Sequence, residues 1–201
     1  MTQPLVFLVL AYLIGGIPFG YLLVKLKTGS DVRSMGSGNI GATNVLRTTG
    51  RAFGLLTLAL DIAKGWVAVW LMGRMTALDM GWMSAAGVAV VLGHAFPVFL
   101  KFKGGKAVAS FVGVAAALAP AALGAVVILF VAVVVWSRYV SLGAIVGAAL
   151  FPLAVWLLYH PDWPLMAASV FCGAFIVWRH KSNIERLRAG TENVLKLGGG
   201  R

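Results

Sequence analysis

The stretch Leu5–Val24, LVFLVLAYLIGGIPFGYLLV, runs for 20 residues without a charge. A helix rising about 1.5 Å per residue needs roughly that length to cross a hydrocarbon core of about 30 Å. In hydrocarbon every backbone amide must find its partner within the segment, so such a run predicts a helix. Outward from it, comparable runs predict spans at 4–24, 53–73, 82–100, 105–119, 121–137, 140–159 and 164–179. Pro120 separates two of the shorter runs, Pro161 and Pro164 bracket a turn, and Gly104-Gly105 reads as the opening of the fourth helix. The 105–119 run is short for a full crossing and is expected to be tilted or partly re-entrant. The expected fold is an all-α integral membrane protein of about seven transmembrane helices, a single polytopic domain over residues 1–201.

Composition agrees with a membrane body: 60% of residues are hydrophobic, 11% are charged, and the mean hydropathy is +0.92. The formal net charge of +11 falls in connections between apolar runs, which points to anionic lipid or an anionic substrate and not to nucleic acid. No Lys or Arg precedes the first run, so it is expected to be retained, with the N-terminus outside. Seven spans then put Lys25, Lys27, Arg33, Arg47, Arg51, Lys101, Lys103, Arg138, Lys181, Arg186, Arg188, Lys196 and Arg201 on the cytoplasmic side, with the C-terminus. Arg74 alone falls outside. That asymmetry is the positive-inside pattern. Cys172, a lone thiol in an apolar run, offers neither a disulfide nor a metal site.

Three polar segments reach the same membrane face under this topology. The first runs from Ser37 to Arg51 and holds Gly38, Asn39, Gly41, Thr43, Asn44 and Arg47. Its glycines let backbone approach a ligand, its hydroxyls and amides add hydrogen-bond partners, and its arginines supply bidentate charge. These suit a phosphate group, and they mark the segment as substrate-binding. The second contains His94 and Gly104-Gly105-Lys106, where unpaired N–H groups at a helix start and an ammonium would attract an anion. The nucleotide P-loop spacing fails at Leu100 and Ala107, so ATP hydrolysis is not indicated. The third holds Arg179, His180, Asn183 and Glu192, with His180 a candidate general base or orienter of a hydroxyl. Asp61 and Lys64, a turn apart in the second span, read either as an internal ion pair or as a lysine lining an anionic site. His94 divides between shaping its loop and a substrate role. Carboxylates are too few and the histidines too scattered for a metal site.

The strings 36–47 (GSGNIGATNVLR), 93–106 (GHAFPVFLKFKGGK) and 179–192 (RHKSNIERLRAGTE) resemble, in order and across essentially the whole chain, the acyl-phosphate-dependent glycerol-3-phosphate acyltransferases of bacterial membranes. The resemblance implies transfer of a fatty acyl group from acyl phosphate to the 1-hydroxyl of glycerol 3-phosphate, without a cofactor. It implies a multi-pass protein of the bacterial inner membrane with its active site at the cytoplasmic face, coupled to the enzyme that makes acyl phosphate. It assigns Ser37 and Arg47 to the essential first motif and Gly104 and Gly105 to the glycerol 3-phosphate site. His180 and Asn183 fall in the third motif, where Glu192 is structural. Arg47 and Lys106, with Lys64, would offset the repulsion between two anionic substrates. A transporter of an anionic metabolite would also explain the basic face, but no internal repeat is found. A phosphatidyltransferase needs clustered aspartates, and Asp61 stands alone in the spans.

Overall fold

The computed structural model describes residues 2–195. All regular structure in it is helical: α1 (Thr2–Gly16), α2 (Phe19–Thr28), α3 (Ala42–Thr49), α4 (Arg51–Met75), α5 (Met80–Ala95), α6 (Val108–Leu118), α7 (Pro120–Ser137), α8 (Val140–Tyr159), α9 (Trp163–Arg179) and α10 (Lys181–Arg188). Single 3-10 turns at Val32–Ser34 and Val98–Leu100 punctuate two of the connections. The chain divides into two compact units, the first ending at Leu118 and the second beginning at Ala119. Lys196 and Arg201 lie outside the described residues.

Five described segments are long and apolar enough to cross a bilayer: Gln3–Thr28, Arg51–Met75, Met80–Leu100, Pro120–Ser137 and Val140–Tyr159. The first is not one continuous helix. Pro18 has no N–H to give α1, and the chain breaks at Ile17–Pro18 before α2 starts. The predicted 105–119 helix shortens to the 11 residues of α6, about 16 Å long, far less than a bilayer core. It begins at Val108 because Ala107 is left-handed, with φ +63°, outside the helical region.

In the first unit α6 packs on α4 through paired glycines. A side chain on Gly65 would strike the Ser110 carbonyl, and one on Gly113 would strike the Ile62 carbonyl. Lipid tails are as apolar as the helix faces, so such close backbone approach, with its dispersion contacts, is what holds membrane helices together. Tyr12 of α1 donates its hydroxyl to the Phe96 carbonyl at 2.5 Å, tying α1 to the end of α5. In the second unit α8 packs between α7 and α9. There Tyr159 accepts the N–H of Ala121 at 2.9 Å, near the start of α7.

Candidate active site

The segment from Gly36 to Asn44, expected as an irregular polar loop, is built around one buried side chain. The Asn44 amide is 2% exposed. Its Oδ1 accepts the Ser37 N–H at 2.9 Å, and its Nδ2 donates to the carbonyls of Asn39 at 2.8 Å and Met35 at 3.0 Å. Asn39 in turn accepts the Gly41 N–H through Oδ1 at 2.8 Å, just before α3 begins. Asn44, expected to bind substrate, closes the loop through its amide. Gly36 and Gly38 have φ of +55° and +70°, and a side chain at Gly36 would collide with Asn44 Oδ1. The effect is to leave Ser37, Gly38 and Thr43 exposed on a rigid frame. Arg47 lies one turn beyond Thr43 on the same exposed face of α3. The sequence reading missed α3 itself, although Gly41 before an Ala-Thr-Asn run is an acceptable start signal.

Beside this loop, Asp31 caps the 3-10 turn by accepting the Arg33 N–H at 2.9 Å, and its carboxylate pairs with the Arg33 guanidinium at 2.6 Å. That guanidinium holds the Asp31 carboxyl below the usual carboxylate range.

The second segment corrects an expectation. Gly104 and Gly105 do not open a helix, and their N–H groups are not unpaired. Gly104 donates to the Ala95 carbonyl at 3.2 Å and Gly105 to the His94 carbonyl at 3.1 Å, so residues 104–105 fold back on the end of α5. The glycines are required by space. A Cβ on Gly104 would meet the His94 and Ala95 carbonyls, and one on Gly105 would meet the His94 ring. The same Cβ on Gly105 would stand 3.4 Å from Ile40 Cγ1, so the first two motifs adjoin at this point. Lys106 follows, partly buried, ahead of α6. His94 is 4% exposed and shares a hydrogen bond with Ser110 through Nδ1 at 2.9 Å. Asp61 and Lys64 form the internal ion pair at 2.7 Å, and Lys64 also donates to the Ile17 carbonyl at 2.8 Å. Ser110 carried no signal in the sequence that set it apart from other small residues of an apolar run.

In the second unit His180 sits where α9 turns into α10, 3% exposed. Its Nδ1 lies 2.8 Å from the Ile176 carbonyl. A carbonyl only accepts, so Nδ1 carries the proton of this contact. Asn183 donates to Glu192 Oε1 at 2.9 Å, and Arg186 to Glu192 Oε2 at 2.8 Å. Burial pushes the Glu192 carboxyl up, but the hydrogen bonds from Asn183 and Arg186 outweigh it and hold it below its usual range. Glu192 thus fastens the segment after α10 to α10 itself. Among the described residues no group of three or more His, Cys, Asp or Glu side chains is arranged to hold a metal.

A profile of the glycerol-3-phosphate acyltransferase family matches residues 5–190. The chain is 46% identical to the glycerol-3-phosphate acyltransferase of Geotalea daltonii over 196 residues, 98% of this chain and 100% of the relative. It is 48% identical to that of Trichlorobacter lovleyi over 200 residues, again 98% of this chain and 100% of the relative. Among solved structures it is similar to the glycerol 3-phosphate form of PlsY (YgiH), an integral membrane glycerol 3-phosphate acyltransferase, with a TM-score of 0.91 and 37% identity over 96% of each chain. The lysophosphatidic acid form of the same protein gives 0.88 and 36% identity, with the same coverage. A loop closed on Asn44, two glycines folded back on the end of α5 and a histidine at the α9–α10 turn are thus parts of a helical chain matched over 96% of its length, and the chain belongs to the glycerol-3-phosphate acyltransferase family.

Proposed function

We propose that this chain transfers a fatty acyl group from acyl phosphate to the 1-hydroxyl of sn-glycerol 3-phosphate, releasing 1-acyl-glycerol 3-phosphate (lysophosphatidic acid) and phosphate. This is the first acylation step of phospholipid synthesis. The observation that carries the reading is the match along 96% of the chain to a structure described as a glycerol 3-phosphate form. Acyl phosphate is a mixed anhydride with a good leaving group. The glycerol hydroxyl oxygen attacks the acyl carbon, the bond from that carbon to the phosphate oxygen breaks, and the leaving phosphate takes up the hydroxyl proton. Positioning and charge stabilisation are then the main tasks left to the protein. Ser37, Thr43 and Arg47, exposed on the Asn44 frame, supply hydroxyls and a guanidinium for phosphate oxygens. Lys106 adds charge to the same end. Gly38, Asn39, Gly41, Gly104 and Gly105 shape the backbone around it. The acyl tail lies among the apolar helices, and the site faces the cytoplasm of a bacterial inner membrane, where the enzyme producing acyl phosphate would feed it.

Purified protein is given labelled glycerol 3-phosphate with either acyl phosphate or acyl-CoA. Labelled lysophosphatidic acid is expected with acyl phosphate alone, and product from acyl-CoA would refute the donor assignment. Ser37 has no paired base in its own segment, so no acyl-serine is expected. Incubation with labelled acyl phosphate alone should leave the protein unlabelled; acylation of Ser37 chased off by glycerol 3-phosphate would replace direct transfer with a covalent route.

A further inference from the structure

Asp61, Lys64, His94 and Ser110 are buried side chains on three helices, α4, α5 and α6. None is assigned to bond making in the reaction above. Lys64 Nζ stands 2.7 Å from Asp61 Oδ1 and donates to the Ile17 carbonyl at 2.8 Å. Ile17 lies in the break between α1 and α2, where continuous helical hydrogen bonding stops. At this break the Ile17 carbonyl accepts the Phe19 N–H at 3.1 Å in place of a helical donor, and Lys64, its charge paired, adds a second donor from another helix.

Two lines of contact leave this ion pair and reach the two site segments of the first unit. One passes through the start of α2. Lys64 lies 5.7 Å from the Phe19 ring centroid, and the next residue, Gly20, has its backbone against the Ile40 carbonyl, at the end of the Ser37 loop. The other passes through α5. Asp61 Oδ1 is 3.8 Å from His94 Nδ1, which is shared with Ser110 at 2.9 Å. The His94 carbonyl accepts the Gly105 N–H at 3.1 Å, immediately before Lys106. The lines rejoin where Gly105 adjoins Ile40.

We infer that the Asp61–Lys64 pair is a positioning element: it holds the α1–α2 break and the His94–Gly105 contact at once, and so sets the Ser37 loop against the segment that carries Lys106. Lys64 acts through Ile17 and Asp61 and not by touching glycerol 3-phosphate. The inference rests on the acyltransfer reading above, so its test has one arm that needs no reaction.

Lys64→Met alone leaves a buried carboxylate unpaired and should lower the unfolding midpoint sharply. Asp61→Asn/Lys64→Met removes both charges and should recover most of that midpoint, while the Ile17 carbonyl keeps the Phe19 N–H and loses its tether to α4. In this double variant kcat should fall about tenfold or more, with KM for glycerol 3-phosphate within about twofold of the parent. Full activity in the folded double variant would reduce the pair to a stabilising contact, and a large KM rise at unchanged kcat would make Lys64 a substrate ligand; either overturns the inference. In the reaction-free arm, spin labels at Ser34→Cys and Lys103→Cys, with Cys172→Ala, report the separation of the two segments by EPR. Both sites are exposed. The double variant should broaden the distance distribution, and an unchanged distribution overturns the inference whatever the donor proves to be. Should the double variant not fold, Ser110→Ala removes one hydroxyl and little volume. It should lower kcat about threefold without raising KM; no change in kcat breaks the line through His94.

Discussion

At the scale of single residues, the candidate site depends on side chains that hold its backbone in shape. Asn44 makes three hydrogen bonds that close its loop, accepting the Ser37 N–H and donating to the Asn39 and Met35 carbonyls. Asn44→Ala should therefore cost about 2–4 kcal/mol of stability, since it loses three hydrogen bonds worth about 0.5–1.5 kcal/mol each. It should also depress activity as strongly as Ser37→Ala; chemical denaturation and initial rates check both. An Asn44→Ala protein of parental stability would remove the residue from the frame. Ala107 shows strain of the opposite kind. It is 1% exposed and left-handed, with φ +63°. An alanine there costs about 1–2 kcal/mol, against about 0.5–1 kcal/mol of backbone entropy for a glycine. Ala107→Gly should thus raise stability by about 0.5–1 kcal/mol, and a loss would mean that its methyl packing outweighs the strain. That Ser37, Asn44 and Arg47 belong together was legible, because they fall within a dozen positions of one polar segment. Which of them turns inward was not, because the loop conformation alone decides it.

At the scale of elements, backbone contact governs what each helix tolerates. Gly65→Ala on α4 would drive a methyl into the Ser110 carbonyl on α6. It should cost about 1–3 kcal/mol and lower activity by displacing the residues that lead into α6. Gly124→Ala on α7 meets nothing within 4 Å and should be neutral or stabilising by up to about 1 kcal/mol. Equal effects of the two, measured by thermal unfolding, would discount the packing argument. The end of α10 carries a pH dependence. The Glu192 carboxylate is held below the ordinary glutamate pKa of about 4.3, so its contribution is complete above that value and is lost as pH falls through the lowered one. Glu192→Gln should unfold at a lower temperature than the parent at pH 7, and the two midpoints should converge below about pH 4. A constant gap would show that the carboxylate charge contributes nothing.

At the scale of the whole molecule, charge asymmetry gives the orientation its test. Ser34 and Ala77 are both exposed, in connections that the sequence places on opposite sides of the membrane, and Cys172 is buried. A membrane-impermeant thiol reagent applied to intact cells should label Ala77→Cys and spare Ser34→Cys until the cells are opened. Labelling of position 34 from outside would invert the topology and move the site away from a cytoplasmic source of acyl phosphate. Position 77 is preferable to Asp79 as a reporter, because Asp79 accepts the Trp82 N–H at 2.9 Å and caps α5.

The sequence by itself determined the helical membrane class, the polar segments that interrupt it and the family they resemble. Apolar length and charge placement are properties of consecutive residues, and the bilayer reads them directly. It also located α8 at 140–159, where the helix Val140–Tyr159 is found. Only the tertiary structure decided that Gly104 and Gly105 donate to α5 and do not open α6, that α6 spans 11 residues, and that Lys64 serves the Ile17 carbonyl. Each of these depends on a partner far along the chain. An N–H or an ammonium has no preference among distant carbonyls until packing brings one within about 3 Å.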